Sequence, residues 1–267
     1  MGDIPEGPGY SLQLNQKMLP VGEEHPDRNS RFEFINGKAQ AFLESGDPVI
    51  STDAKKKEPA GNFKNNGAAY NKEKRPGKVS DHDFPLKEPG KVTPYGIYGI
   101  SRNEGFVNLG VSSDTSEFAA ESISRWRLTA GKHTYPQATL LYINCDAGGG
   151  NGYRNKLFKL QLQEFANQSR PEIHVSHFPP GTGKWNKTEH RLFCYISSHW
   201  RGQPLISIET IVTLIGSTTT TGGLKVICVK DERAYKIGIK VSDEDFKRIN
   251  ISEEVICPDW NYIISPN

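Results

Sequence analysis

The sequence predicts an α/β protein built on a mixed sheet that is flanked by helices. Its 267 residues suffice for one large domain or two small ones. Strand-like apolar runs alternate along the chain with amphipathic, helix-like stretches. One hairpin signal interrupts this alternation, and the resulting order of strand, hairpin, helix, strand, helix, strand and helix is typical of a mixed sheet with helices on both faces.

The first elements are predicted from periodicity and from helix-ending residues. Residues 1–30, rich in Pro, Gly and Asn, indicate an extended lead-in. Residues 31–45 place apolar side chains at helical spacing and end near a glycine, and residues 48–53 form a short strand. Residues 59–91, rich in Gly, Asn, Lys and Pro, are expected to be a long basic insertion or loop.

The middle of the chain supplies the hairpin, a helix and a buried strand. Residues 95–100 and 105–111 alternate in polarity around a polar turn. Capping residues open a helix at 114–130, and the apolar run 138–145 is long enough for a strand buried on both faces. The later predicted elements are helices at 153–168, 184–200, 208–215 and 243–249, and a strand at 173–178.

Composition excludes several classes of protein. No run approaches the roughly 18–20 apolar residues of a membrane-spanning helix, and the N-terminus shows neither the basic nor the apolar part of a secretory signal. The four cysteines are widely spaced without a C-x-x-C pair, which argues against a zinc ribbon and a disulfide scaffold. We therefore expect a cytoplasmic protein with no membrane partner.

The formal net charge of +2 hides a local asymmetry. Residues 55–91 hold 10 basic and 5 acidic side chains, and residues 121–202 hold 11 basic and 5 acidic ones, whereas both ends of the chain are acidic. A run of charge is often only a solvated surface. Two basic stretches that share a chain with strand-end acids favour a polyanionic partner instead.

Two aspartates stand at the ends of predicted strands. Asp146 follows an apolar run and precedes a glycine-rich segment, where open α/β sheets place their ligands; a turn or helix-cap aspartate is the alternative. Asp53 ends the strand at 48–53, with three lysines close behind it. Asp81 and Asp83 compete for the role of first acid, although they lie in a proline-flanked loop.

Glu189 is predicted to lie in the apolar stripe of a helix. Its same-face neighbours there are Trp185, Leu192, Phe193 and Ile196. A buried, unpaired carboxylate is costly, so it should be matched by a metal, a cation or a raised pKa. A structural salt bridge is the alternative.

Asp53, Asp146 and Glu189 are therefore hypothesised to converge from two strand ends and one helix onto divalent metal ions. Mg²⁺ prefers oxygen ligands, and two such ions about 3.5–4 Å apart can activate a nucleophile and stabilise a leaving oxygen. The substrate that suits such a pair is a phosphodiester.

Blocks of sequence around these acids carry a family resemblance. Residues 177–193 (HFPPGTGKWNKTEHRLF) resemble the third-acid block of bacterial insertion-sequence DDE transposases, and more narrowly the Rhodopirellula-type DDE transposase family, relatives of the mariner-like elements. Further similar blocks, in the same order, are 48–63 (PVISTDAKKKEPAGNF), 82–85 (HDFP), 93–98 (TPYGIY), 102–105 (RNEG) and 144–153 (NCDAGGGNGY). The resemblance spans residues 9–262, nearly the whole chain.

This resemblance implies an RNase H-like fold and DNA strand cleavage and joining that depend on two Mg²⁺ or Mn²⁺ ions. Matched block by block, Asp53, Asp146 and Glu189 correspond to the catalytic, metal-binding DDE triad. Gly150 and Gly183 depart from the family, which usually has serine at these places. The implied partner is double-stranded DNA, at the element ends and at the target.

We expect three segments along the chain. Residues 1–46 are a lead-in and helix, a remnant of the linker from a missing helix-turn-helix region, because residues 9–12 resemble the tail of that region. Residues 47–220 form the RNase H-like DDE catalytic domain, with the basic insertion or loop at 59–91. Residues 221–267 add short strands and a helix.

The expected function is that of a DDE transposase catalytic domain in the bacterial cytoplasm, on the nucleoid and as a homodimer when bound to DNA. Six basic residues are predicted to contact DNA phosphates: Lys55, Lys56, Lys57, Lys184, Lys187 and Arg191. Two alternatives stay open. One is an RNase H-like nuclease without joining activity, and the other is a catalytically silent DNA-binding remnant that regulates a full-length transposase.

Overall fold

A computed structural model of the chain describes residues 27–75, 77–80 and 90–267. The competing acids Asp81 and Asp83, the similar block around them and most of the predicted lead-in lie outside the described residues. Within the described part, no helix is long and apolar enough to cross a membrane.

The strands and helices follow the predicted order with shifted ends. The strands are β1 (Val49–Ala54), β2 (Glu58–Pro59), β3 (Lys91–Gly99), β4 (Glu104–Gly110), β5 (Leu140–Cys145), β6 (Glu172–His177), β7 (Lys225–Asp231), β8 (Ile251–Glu253) and β9 (Asn261–Ile264). The helices are α1 (Arg28–Ser45), α2 (Ser116–Trp126), α3 (Lys132–Thr134), α4 (Lys156–Ser169), α5 (Cys194–His199), α6 (Ile208–Gly216) and α7 (Asp243–Phe246). Short 3₁₀ or π-helical stretches continue or connect them at Arg127–Gly131, Gly149–Asn151, Gly183–Trp185 and Glu189–Phe193.

A mixed sheet holds the strands in the order β7-β4-β3-β1-β5-β6-β9-β8, with β2 paired to β3 beside this path. β3 is antiparallel to both β1 and β4, whereas β5 is parallel to both β1 and β6. Parallel neighbours need a crossover connection, and α4 lies in the one between β5 and β6. The predicted α/β class, a mixed sheet flanked by helices, is confirmed.

Apolar side chains alternate on both sides of the central strands, so helices cover both faces. One face carries Tyr95 and Phe106, which pack with residues of α2 and α4. The other carries Tyr98 and Val107, which pack with residues of α6 and of the helical segment 187–199. The core therefore forms two layers, one on each face of the sheet.

Two helices begin or end differently from their predictions, for local reasons. The helix expected at 114–130 begins after Thr115, whose hydroxyl caps its first turn, and it continues through a π-helical stretch into α3. The helix expected at 184–200 begins only at residue 187, because Asn186 has an extended backbone and caps it. This later start changes the surroundings of the third predicted acid.

Strands from the C-terminal segment extend the sheet at both ends. β7 pairs in parallel with β4, and β9 pairs in antiparallel with β6. β8 then pairs with β9 at the outer edge. The domain boundary at residue 220 stays a prediction, while the strands beyond it belong to the same sheet as the strands before it.

Candidate active site

Asp53 and Asp146 lie next to each other in register at one edge of the sheet. Their strands, β1 and β5, are parallel neighbours in which Thr52 is opposite Cys145. Each aspartate comes one residue after this pair, so both lie at the carboxyl ends of adjacent parallel strands. Open α/β sheets bind their ligands at this edge.

Asp53 is half-buried, and its carboxyl group has a strongly shifted pKa. Burial raises the pKa of Asp53 to about 7, and the negative charges of Asp146 and Glu189 add to this effect. A hydrogen bond from Asn186 Nδ2 to Asp53 Oδ2, 2.6 Å long, acts in the opposite direction. The two other predicted acids are thus electrostatic neighbours of Asp53, as expected of a functional cluster of carboxylates.

Asp146 is exposed, and a buried histidine supports its backbone. His177 lies opposite Cys145 at the end of β6, with its Nδ1 3.1 Å from the Asp146 carbonyl oxygen and its Nε2 3.1 Å from the Tyr262 hydroxyl. Burial lowers the pKa of His177 to about 4, so the neutral ring donates from Nδ1 and accepts at Nε2. Sequence reasoning missed this role, because the contacts of His177 are with residues 31 and 85 positions away in the sequence.

Glu189 is exposed, which corrects the prediction that it lies within an apolar stripe. The helix begins later than predicted, so Trp185 belongs to the preceding 3₁₀ turn. Glu189 opens the π-helical stretch, in which its side chain is exposed while Leu192 and Phe193 are buried. Burial in a stripe therefore supplies no argument for a metal at this residue.

Hydrogen bonds tie the start of this helix to β1. The N–H of Thr188 donates to Ser51 Oγ at 3.3 Å, and the N–H of Glu189 donates to Asn186 Oδ1 at 3.3 Å. The same Asn186 side chain donates to Asp53. The backbone that carries Glu189 is thereby held beside the strand that carries Asp53.

Two glycines allow the helix of Glu189 to pack close to the sheet. A Cβ on Gly96, the register partner of Asp53 on β3, would lie 2.6 Å from the Phe193 ring. A Cβ on Gly105 would lie 2.5 Å from Leu192 Cδ1. Both distances are far shorter than van der Waals contact, so any larger residue would push the helix outward.

The glycine-rich segment after Asp146 packs against the start of α2. A Cβ on Gly150 would lie 2.8 Å from the carbonyl oxygen of Thr115, which is too close for any side chain. Glycine therefore fits at this position, where the family usually has serine. A Cβ on Gly183 would meet no described atom within 4 Å, so a serine would fit there as well. The first departure from the family pattern has a packing reason, and nothing in the structure explains the second.

The donor set suits Mg²⁺ or Mn²⁺, because these ions prefer carboxylate oxygens. A bound cation would also offset the burial and the repulsion that together raise the pKa of Asp53. In the part of the chain that the structure describes, however, no three side chains of His, Cys, Asp or Glu are placed to hold an ion together. Asp146 and Glu189 are both exposed, and exposed side chains change rotamer on fast timescales without repacking the core.

The basic residues predicted to contact DNA differ in their surroundings. Lys55 forms an ion pair with Glu58, and its Nζ lies 5.2 Å from the centre of the Trp200 ring. The others are exposed: Lys56, Lys57, Lys184, Lys187 and Arg191. Lys55 would therefore have to leave an existing partner in order to bind a phosphate.

A cavity of about 1020 Å³ opens beside Asp146. Arg154, Lys156 and Lys240 contribute to its lining, and Lys156 is paired with Asp243 at 2.7 Å. These basic residues come from two distant segments, so no contiguous motif marked them in the sequence. A positively charged wall beside an acid at a strand end is suited to a phosphodiester.

Nearly the whole chain matches one protein family. The family described as Rhodopirellula transposase DDE domain matches residues 2–266. The chain belongs to this family. Membership confirms the resemblance identified in the sequence and supports a transposase catalytic domain.

Solved structures of the Mos1 transposase are similar to this DDE domain. A Mos1 paired-end complex with the left transposon end shows 10% identity and a TM-score of 0.47, over 76% of this chain and 57% of that one. The Mos1 mariner paired-end complex with Mn shows 10% identity and a TM-score of 0.45, over 75% of this chain and 56% of that one. The DDE domain thus spans just over half of the Mos1 chain. No curated protein sequence matches it.

Proposed function

We propose that this DDE domain cleaves DNA strands and joins them as the catalytic domain of an insertion-sequence transposase. One observation carries the proposal: Asp53 and Asp146 end adjacent parallel strands, and the backbone of Glu189 is hydrogen-bonded through Asn186 to Asp53. Carboxylates grouped in this way are what phosphodiester chemistry with divalent ions requires.

Asp53, Asp146 and Glu189 would together hold two Mg²⁺ or Mn²⁺ ions. When bound, such ions lower the pKa of an attacking water or 3′-hydroxyl and stabilise the leaving oxygen. Asp53 would give up its proton on binding, because its pKa of about 7 reflects burial and repulsion that a cation offsets. His177 would keep the backbone of Asp146 in place throughout.

Double-stranded DNA, at the element ends and at the target, is the proposed partner of a homodimer in the bacterial cytoplasm. The residues proposed to contact its phosphates are Lys55, Lys56, Lys57, Lys184, Lys187 and Arg191. Phosphate contacts position a duplex without reading its sequence. The choice of cleavage site would therefore depend on other contacts.

Strand cleavage and joining by the purified protein would test this proposal. A plasmid that carries the DNA flanking the gene should give nicked and joined products with Mg²⁺ or Mn²⁺. Asp53→Asn, Asp146→Asn and Glu189→Gln should each slow cleavage at least about 100-fold, because a lost ligand removes several kcal/mol of transition-state stabilisation. Glu164→Gln is the matched control, since it removes an exposed carboxylate on α4 and should retain wild-type activity.

The products separate the proposal from its alternatives. Nicks without any 3′-end linked to target DNA would identify a nuclease that does not join. Equal cleavage by the wild type and the three acid variants would remove the triad assignment. A protein that binds DNA, shows no Mn²⁺ binding by calorimetry and never cleaves would be a silent remnant.

A further inference from the structure

Asn186 links two of the three proposed metal-binding acids. It is buried, and its extended backbone lies between the 3₁₀ turn Gly183–Trp185 and the helix of Glu189. Its Nδ2 donates to Asp53 Oδ2 at 2.6 Å, and its Oδ1 accepts the N–H of Glu189 at 3.3 Å. One side chain therefore joins Asp53 on a strand to the backbone of Glu189 at a helix start, although Asn186 and Asp53 lie 133 residues apart in sequence.

A carboxamide can make both contacts at once. A carboxylate only accepts and a backbone N–H only donates, so the linking side chain needs a donor and an acceptor in one group. Ser51 extends the network: its Oγ lies 3.5 Å from Asn186 Oδ1 and accepts the N–H of Thr188 at 3.3 Å. A helix cap alone would not require this residue, because serine, threonine and aspartate cap helices comparably well.

We propose that Asn186 is a positioning residue that holds Asp53 and the helix start of Glu189 as one unit for binding a divalent cation. The binding of a cation rests on the proposed function. The link between the two elements rests only on the hydrogen bonds of Asn186. Because the amide engages Oδ2 of Asp53, it fixes the orientation of the carboxylate towards an ion. Loss of such an outer hydrogen bond typically costs about 10–100-fold in metal affinity.

Metal affinity tests the positioning role with a matched pair of variants. Asn186→Ser keeps a helix cap and removes the amide donor. Asn155→Ser is the control, because Asn155 caps α4 through the N–H groups of Leu157 and Phe158. In calorimetric titrations with MnCl₂, the Kd should rise about 10-fold or more in Asn186→Ser and stay within about twofold of wild type in Asn155→Ser.

Amide hydrogen exchange in EDTA tests the link in the absence of metal and of any activity. Residues 187–193 should exchange faster in both Asn186→Ser and Asp53→Ala, because Asp53 holds the side chain that caps this helix. Exchange there should be unchanged in Asn155→Ser.

Two results would overturn the inference: unchanged exchange at 187–193 in Asp53→Ala, or wild-type Mn²⁺ affinity in Asn186→Ser. Failure of the proposed function has a different signature. In that case the wild type would bind no Mn²⁺, or would bind it as well as Asp53→Asn does. The exchange experiment would still decide whether Asn186 connects the two elements.

Discussion

Two single residues near the candidate site show opposite effects of burial on charge. Burial raises the pKa of Asp53 to about 7 and lowers the pKa of His177 to about 4, because in each case it disfavours the charged form. Asp53 lies beside two other acids, so a bound cation can offset the negative charge of its carboxylate. His177 instead bridges Asp146 and Tyr262 as a neutral hydrogen-bonding group, so its protonation should disturb the fold.

Mild acid should destabilise the protein through His177. The folded state keeps this ring neutral down to about pH 4, whereas a histidine in the unfolded chain takes up a proton near pH 6.5. The stabilisation is therefore complete above about pH 6.5 and is lost as the pH falls towards 4. From this group we expect the free energy of unfolding, measured in urea, to fall by about 2 kcal/mol between pH 7 and pH 5.

Substitution of the ring isolates this effect. His177→Phe should lower the stability at pH 7 by about 1–3 kcal/mol, because the Asp146 carbonyl and the Tyr262 hydroxyl lose their partner. It should also show a shallower loss of stability between pH 7 and pH 5. The exposed His133→Gln is the control and should keep the wild-type slope. Equal slopes in wild type and His177→Phe would contradict the assignment.

Among the elements, β7 is attached to its neighbours by a buried carboxylate. Asp231 Oδ1 accepts a hydrogen bond from Arg125 Nη2 of α2 at 3.1 Å, and Oδ2 accepts from Asn108 of β4 at 3.1 Å and from the Tyr235 hydroxyl at 2.6 Å. Burial by itself would raise the pKa of Asp231, but these donors outweigh it and lower the pKa. The network therefore joins a strand, a helix and a loop around one charge.

Asp231→Ala should lower the free energy of unfolding by about 3 kcal/mol, because Arg125 and Asn108 would lose their buried acceptor. Urea unfolding at neutral pH would measure it. Glu232→Ala is a neighbouring control, since Glu232 is exposed and its ion pair with Lys230 should contribute less than about 1 kcal/mol. Similar losses in the two variants would show that the buried network adds little.

The packing of the Glu189 helix on the β3–β4 hairpin should depend on Gly96. Gly96→Ala would place a methyl group against Phe193 and Thr188, so we expect a loss of about 1–3 kcal/mol and a weaker Mn²⁺ affinity. Gly37→Ala is the control: its methyl would meet no described atom within 4 Å, and in α1 it should stabilise by up to about 1 kcal/mol. Gly96→Ala with wild-type stability and affinity would refute this packing argument.

Over the whole molecule, the basic surface is local even though the formal net charge is only +2. The exposed Lys184, Lys187 and Arg191 belong to the segment that carries Glu189. Glu104 and Lys225 lie in register at the other end of the sheet, next to the hairpin turn. DNA is therefore expected at the edge of Asp53 and Asp146, not at the turn.

DNA affinity should fall steeply with salt, and each lost phosphate contact should flatten that dependence. Lys184→Ala, Lys187→Ala and Arg191→Ala should each reduce the slope of log K against log salt concentration by about 0.9. Fluorescence anisotropy with a labelled duplex at several salt concentrations would measure the slopes. Lys225→Ala is the control and should keep the wild-type slope. A flatter slope in Lys225→Ala alone would indicate that DNA binds at the end of the sheet next to the hairpin turn.

The sequence by itself determined the order of the elements, the mixed sheet and the strand-end positions of Asp53 and Asp146. Apolar periodicity and an acid that ends a strand are local properties, so they are readable without the fold. Glu189 was singled out by its predicted place in an apolar stripe, which the structure corrects, and by the family resemblance. Periodicity misplaced the start of its helix by three residues, because it does not register the extended backbone of Asn186.

Only the tertiary structure decided that Glu189 is exposed, that Asn186 connects it to Asp53, and that His177 supports Asp146. These contacts join residues 133 and 31 positions apart, and each depends on the direction of one polar side chain. These directions are set by the alignment of β1, β5 and β6 and by the packing of the Glu189 helix against Gly96 and Gly105 of the β3–β4 hairpin. Hydrogen-bond geometry between distant segments leaves no periodic trace in a sequence, so it becomes readable only once the chain has packed.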